Sequence, residues 1–193
     1  MISWDKVWIV GNGPSRQSFD FEKLKQRGDT VIVLNKALHE FPWAHVFFSL
    51  DYNFIWGNIE RLRHYKGEVH LVLKDKSDAL LLIGIHQLSF NSYLRSYANG
   101  FSDDPKVICT GCNSGFAAIN LAYQKNAKEI HLLGYDMDPK DPRESQYGFW
   151  LKEFDYTLDQ LSEKRIQVYN HNPNSFIDAY PKVEVNAFND AVS

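Results

Sequence analysis

Apolar residues fall in short runs separated by turn residues, and these runs alternate with segments of helical period. Val7–Val10, Val31–Leu34, Val46–Leu50 and Val69–Leu73 are short and rich in β-branched or aromatic side chains. Ile130–Leu133 and Ile166–Tyr169 continue the series. Brief apolar runs bounded by turn residues predict strands buried on both faces. Between them, Ser114–Asn126 carries Phe116, Ile119, Ala122 and Tyr123 at helical spacing. Trp150–Lys164 sets Leu151, Phe154, Leu158 and Leu161 on one face, with Glu153, Asp155, Asp159 and Glu163 elsewhere, and predicts a second amphipathic helix. Residues 55–66 and 77–100 have no clear period, and the stretch ALLLIGIHQL fits a core helix and a strand equally.

No repeat or low-complexity linker divides the chain, so the expectation is one domain over residues 1–193. Strands alternating with helices predict an α/β sandwich of Rossmann-like type: a mostly parallel, twisted sheet with helices on both faces. Ligands of such sheets bind at the carboxyl ends of the strands, near the point where strand order reverses.

Composition narrows the classes. A hydrophobic share of 44 % over 193 residues supports a proper core and excludes a disordered chain. The net charge of −3 gives no electrostatic case for nucleic acid or for an anionic membrane surface. No run approaches the roughly 18 apolar residues of a membrane span, and no leader pattern opens the chain, so it reads as cytoplasmic. Cys109 and Cys112 form a C-x-x-C, but no second pair of ligands accompanies them, and the expectation is two reduced thiols at a turn.

Candidate chemistry sits in the turns that follow the predicted strands. Gly11-Asn12-Gly13-Pro14-Ser15 comes after the first. Arg16 stands where the dinucleotide fingerprint needs a third glycine, and the Gly-Lys-Ser/Thr ending of a P-loop is absent. Glycines nevertheless let backbone approach an anion, and a helix N-terminus favours negative charge. A plain strand-to-helix turn explains the segment equally well. Asn35 follows the second strand, where its amide suits a ribose or a base edge, or a turn. Asp51 follows the third, as a ligand for a ribose hydroxyl or a metal, or as a helix cap. Asn113, Ser114 and Gly115 open the Ser114–Asn126 helix. Gly134-Tyr135-Asp136 follows Ile130–Leu133, and Asp136 with Asp138 spells the D-x-D of cation-dependent transferases. His171 and the turn Pro173-Asn174-Ser175 follow the last strand. Taken together, these turns along one sheet edge predict a nucleotide site.

In this order the motifs resemble those of the bacterial family-42 sialyltransferases. They resemble in part the related MptE-like proteins, which include a 6-hydroxymethylpterin diphosphokinase. The likeness rests on Gly11–Ser15, Asn35, Ser114-Gly115, Gly134–Asp136 and Pro173–Ser175, and on the stretches NSGFAAINLAYQKNAKEIHLLGYD and VYNHNPNSFIDAYPKV. It implies a small glycosyltransferase-like enzyme binding a nucleotide-activated donor, with a nucleotide sugar as partner and no cofactor. Asn12, Gly13, Asn35, Asn113 and Ser114 would lie near phosphate and sugar, and Pro173–Ser175 near the base or ribose. The diphosphokinase branch implies ATP with Mg2+, for which Asp51 and Asp136 become candidate ligands. A nucleotide-binding module without catalysis is the third reading. The sialyltransferases carry a lid with a histidine base and phosphate-binding tyrosines; here the interval from Met137 to Gln167 holds no histidine and offers only Tyr147 and Tyr156, and His171 is the nearest candidate base. The acceptor and the oligomeric state, a homo-oligomer included, stay open.

Overall fold

In a computed structural model, which describes residues 2–74, 76–84, 87–141 and 146–184, eight strands join one parallel sheet. In chain order they are β1 (Lys6–Val10), β2 (Thr30–Leu34), β3 (Val46–Ser49), β4 (Glu68–Leu73), β5 (Asn91–Ser96), β6 (Val107–Cys109), β7 (Glu129–Leu133) and β8 (Gln167–Asn170). Their order across the sheet is β6-β5-β4-β3-β2-β1-β7-β8. From β1 the chain steps outward to the edge at β6, then returns to lay β7 on the other side of β1.

The helices follow from that path. The outward steps carry α1 (Phe21–Gln26), α2 (Ala37–Glu40), α3 (Tyr52–Gly57), α4 (Ile59–Arg63) and α5 (Lys76–Gly84). The return is α6 (Ser114–Gln124), and α7 (Tyr147–Asp155) and α8 (Leu158–Glu163) link β7 to β8. Right-handed crossovers in opposite directions place helices on opposite faces. The core divides accordingly. Leu24, Leu38, Ile55, Leu62 and Leu82 pack with Trp8, Val10, Val31, Val33 and Phe47. Phe116, Ile119, Phe154 and Leu161 pack with Val7, Ile9, Ile32, Leu34 and Phe48. Alternate residues of one strand thus serve opposite cores, which is why these strands read as unbroken apolar runs. α6 is buried from Phe116 to Tyr123 and crosses the face of β6, β3, β2 and β1.

The sheet matches the expected α/β architecture; the structure assigns two stretches the sequence left open, and one expected helix differs. Residues 77–100 hold both α5 and β5, and Ile85 and His86 of the ambiguous stretch lie outside the described residues, as do 185–193 of the expected domain. Residues 55–66 form the end of α3 and then α4. The helix expected over 150–164 is two helices. Thr157 Oγ1 donates to the Phe154 carbonyl at 2.7 Å and lies 2.9 Å from the Tyr180 hydroxyl, so its side chain takes a carbonyl the helix would otherwise use. No helix among the described residues is long and apolar enough to cross a membrane.

Candidate functional site

The reversal of strand order lies between β1 and β7, and a cleft of about 350 Å³ opens at their carboxyl ends. Its walls come from five strand-end turns and from α7. They comprise Gly11–Pro14, Leu34-Asn35, Leu50-Asp51, Cys112–Gly115, Gly134–Met137 with Asp141, and Tyr147 with Trp150. A larger hollow of about 790 Å³, between Trp43, His45 and Glu68, lies at the opposite sheet edge, away from every strand-end turn singled out above.

The floor is a clasp between the β1 and β7 turns. Gly11 N–H donates to the Leu133 carbonyl at 2.8 Å, and Gly13 N–H to the Gly134 carbonyl at 2.9 Å. A Cβ on Gly13 would stand 1.9 Å from Asp136 Oδ2 and 2.6 Å from the Gly134 oxygen; one on Gly11 would stand 2.7 Å from that same oxygen. Gly134 itself has φ +70°, which favours glycine. The glycines are therefore required by the meeting of the two turns, before any ligand is considered.

Asp136 locks the clasp. Its carboxylate accepts from Ser15 N–H at 3.2 Å, from Ser15 Oγ at 2.8 Å and from Asn172 Nδ2 at 3.2 Å. It thereby caps the short 3-10 turn Pro14–Ser18 from outside, where an anion favours exposed N–H groups. Asp138 turns away into its own loop, accepting from Lys140 N–H at 2.8 Å. The two carboxylates of the D-x-D are engaged separately, and no group of three His, Cys, Asp or Glu residues is placed to hold a metal among the described residues.

Asn35 joins three turns. It sits at φ 45°, a conformation that asparagine tolerates better than most residues. Its Oδ1 accepts from Ser49 Oγ at 2.7 Å, and its Nδ2 donates to Ser114 Oγ at 3.3 Å. Asp51 caps α3, accepting from Phe54 N–H at 3.0 Å, while also lining the cleft. Asn113 caps α6 through Phe116 N–H at 2.7 Å. The N–H groups of Ser114 and Gly115, in the first turn of α6, have no carbonyl within the helix to receive them. Gly115 admits the ring of Tyr135, which a Cβ would meet at 2.9 Å, and the Tyr135 hydroxyl donates to the Gly115 carbonyl at 3.1 Å.

The turn after β8 does not line the cleft. Ser175 is buried, donates to the Tyr135 carbonyl at 2.6 Å and receives Asn170 Nδ2 at 2.8 Å, so it braces the β7 turn from behind. Pro173 and Asn174 stand outside the cleft with it. Ser15 is also behind the wall, on Asp136. His171, the candidate base, points elsewhere. Its Nε2 lies 2.9 Å from His131 Nδ1, and its ring packs against Trp8 and Phe19. Burial, then the nearby His131 and Arg27, push its pKa down to about 3. His171 is buried and does not line the cleft, so it is not placed to take a proton from an acceptor hydroxyl there.

Two features of the cleft go beyond the sequence reading. Tyr147 and Trp150, one helical turn apart with ring centroids 5.8 Å from each other, form an aromatic wall. The crowding of Tyr147, Phe149 and Trp150 ahead of the core anchor Phe154 is the signal that marks it, since only Phe154 of α7 is fully buried. The second feature is charge. Three carboxylates and no Lys or Arg line the cleft among the described residues. No family model, curated protein or solved structure matches the chain.

Proposed function

We propose that the cleft binds a nucleotide-activated donor, a nucleotide sugar, and that the chain is a small glycosyltransferase-like transferase. The observation that carries the reading is an anion-favouring helix start at the point where strand order reverses, in a cleft lined by no Lys or Arg among the described residues. A helix amino end presents about half a positive charge. That suits one phosphodiester charge and not the several charges of a triphosphate among Asp51, Asp136 and Asp141. A donor activated by a nucleoside monophosphate is therefore favoured over ATP, and the pyrophosphokinase alternative would need Mg2+ to offset the charge, with Asp51 and Asp136 as its ligands. Asp136 already holds Ser15 and Asn172, which weighs against that role.

In the transfer, an acceptor oxygen attacks the anomeric carbon, the bond from that carbon to the phosphate oxygen breaks, and the nucleotide leaves with the bonding electrons. The acceptor proton goes to a carboxylate of the cleft, for which Asp51 is the candidate because Asp136 is committed to the clasp.

Calorimetry with cytidine monophosphate and with ATP, each with Mg2+ and with chelator, tests the reading. Cytidine monophosphate is expected to bind with the same affinity in both conditions. ATP bound tightly only with Mg2+ would favour the kinase alternative, and binding of neither would overturn both. Asp51→Asn keeps a side chain able to cap α3, so donor binding is expected to persist while turnover falls by about a hundredfold. Tight donor binding with no turnover by the unaltered protein would leave a binding module.

A further inference from the structure

We infer that the base of the bound nucleotide lies on the Tyr147–Trp150 wall of α7, and not at the Pro173–Ser175 turn. The inference rests on the nucleotide reading of the cleft and assigns the ligand's direction within it. The lining of the cleft holds two chemically different sets of groups. One is formed by the Gly11–Pro14 turn and the start of α6, polar and suited to a phosphate. The other is formed by Tyr147, Trp150, Met137 and Leu50, apolar and aromatic. A nucleotide has the same division, since its charge is at the phosphate and its flat, polarisable surface is the base. Aromatic side chains stack on any base, because every base has a π-face.

The packing of α7 agrees. Phe154 is the fully buried residue of the helix, against Phe116 and Tyr180, while Tyr147, Trp150 and Leu151 pack on the margin of that core. Tyr147 and Trp150 remain half-buried, with ring surface turned to the cleft. The Pro173–Ser175 turn offers nothing equivalent, because Ser175 is spent on Tyr135 and Asn170 behind the cleft wall.

The test measures cytidine and adenosine monophosphate binding by calorimetry and by tryptophan emission, in the unaltered protein and in Trp150→Ala and Trp150→Phe. Trp150→Ala is expected to weaken both nucleotides by about tenfold or more, the scale of one lost base stack. Trp150→Phe keeps a ring and the fold of α7, so it is expected to lose less affinity while abolishing the quench that base stacking imposes on the indole. Unchanged nucleotide affinity in Trp150→Ala together with a quench that survives in Trp150→Phe would overturn the inference and leave the cleft reading standing. No nucleotide binding by the unaltered protein would overturn both.

Discussion

Gly13 carries two explanations that the sequence alone leaves equal, a close approach to a phosphate and a tight turn. Its φ of −67° is open to any residue, so conformation is not the reason for glycine. The reason is space, for a Cβ would collide with Asp136 Oδ2 and with the Gly134 carbonyl. Gly13→Ala is therefore expected to destabilise the fold by on the order of 3 kcal/mol, the upper range for overpacking, as read by urea denaturation. Removing the carboxylate in the same chain relieves part of that clash. The Gly13→Ala, Asp136→Ala double variant should be less destabilised than the sum of its single variants. Strict additivity would mean that the two side chains do not meet. The same residues mark the limit of legibility. The sequence places Gly11–Ser15 and Gly134–Asp136 at strand ends along one sheet edge, but not that the two strands are neighbours or that one turn holds the other. Asp51, Asn113 and Asp136 each turn out to cap a helical turn as well as to border or brace the cleft. A capping and a binding residue share one chemistry, so composition cannot separate them.

At the scale of elements, legibility follows burial. β1, β2, β3, β4 and β7 are covered on both faces and stand out as apolar runs. β5 reads Asn-Ser-Tyr-Leu-Arg-Ser, with only Tyr93 buried, and β6 has three residues at the sheet edge, so neither carries a run to detect. What holds this edge is instead a polar device. Asn120 of α6 is fully buried, accepts from Ser102 and Cys109 N–H and donates to the Ser102 carbonyl. The α7–α8 break was hidden for a different reason, because the apolar period continues across it. Thr157 makes the break through its hydroxyl, which bonds the Phe154 carbonyl and meets Tyr180. Thr157→Val is nearly isosteric and leaves the Tyr180 hydroxyl buried without that partner. It is expected to lose about 1–3 kcal/mol in denaturant midpoint measurements. Thr157→Ser, which keeps the hydroxyl, should lose clearly less; equal losses would assign the effect to packing alone.

For the whole molecule, the histidines fix how stability depends on pH. Burial pushes His131 down to about 4 and His171 down to about 3, and it lowers His70 as well. His131 Nδ1 and His171 Nε2 lie 2.9 Å apart, so one must donate and the other accept, and a proton on both would set two N–H groups against each other. Glu129 pulls the other way on His131, but the burial of the ring outweighs it. In the unfolded chain each histidine takes up its proton near pH 6.5. The folded state therefore binds fewer protons between that value and its own lowered pKa values. Stability is full above about pH 6.5 and falls as the pH drops toward 4, at up to about 1.4 kcal/mol per pH unit for each such histidine. Carboxylates held down by lysine, such as Glu129 by Lys6, add to the loss only at lower pH. His171→Phe keeps a ring among Trp8, Phe19 and His131 and removes one of these protons. Denaturant midpoints measured from pH 7 to pH 4.5 should therefore decline less steeply in His171→Phe than in the unaltered protein. A decline of equal slope would show that His171 is protonated in the folded state at those pH values, and that burial does not keep the His131–His171 pair neutral there.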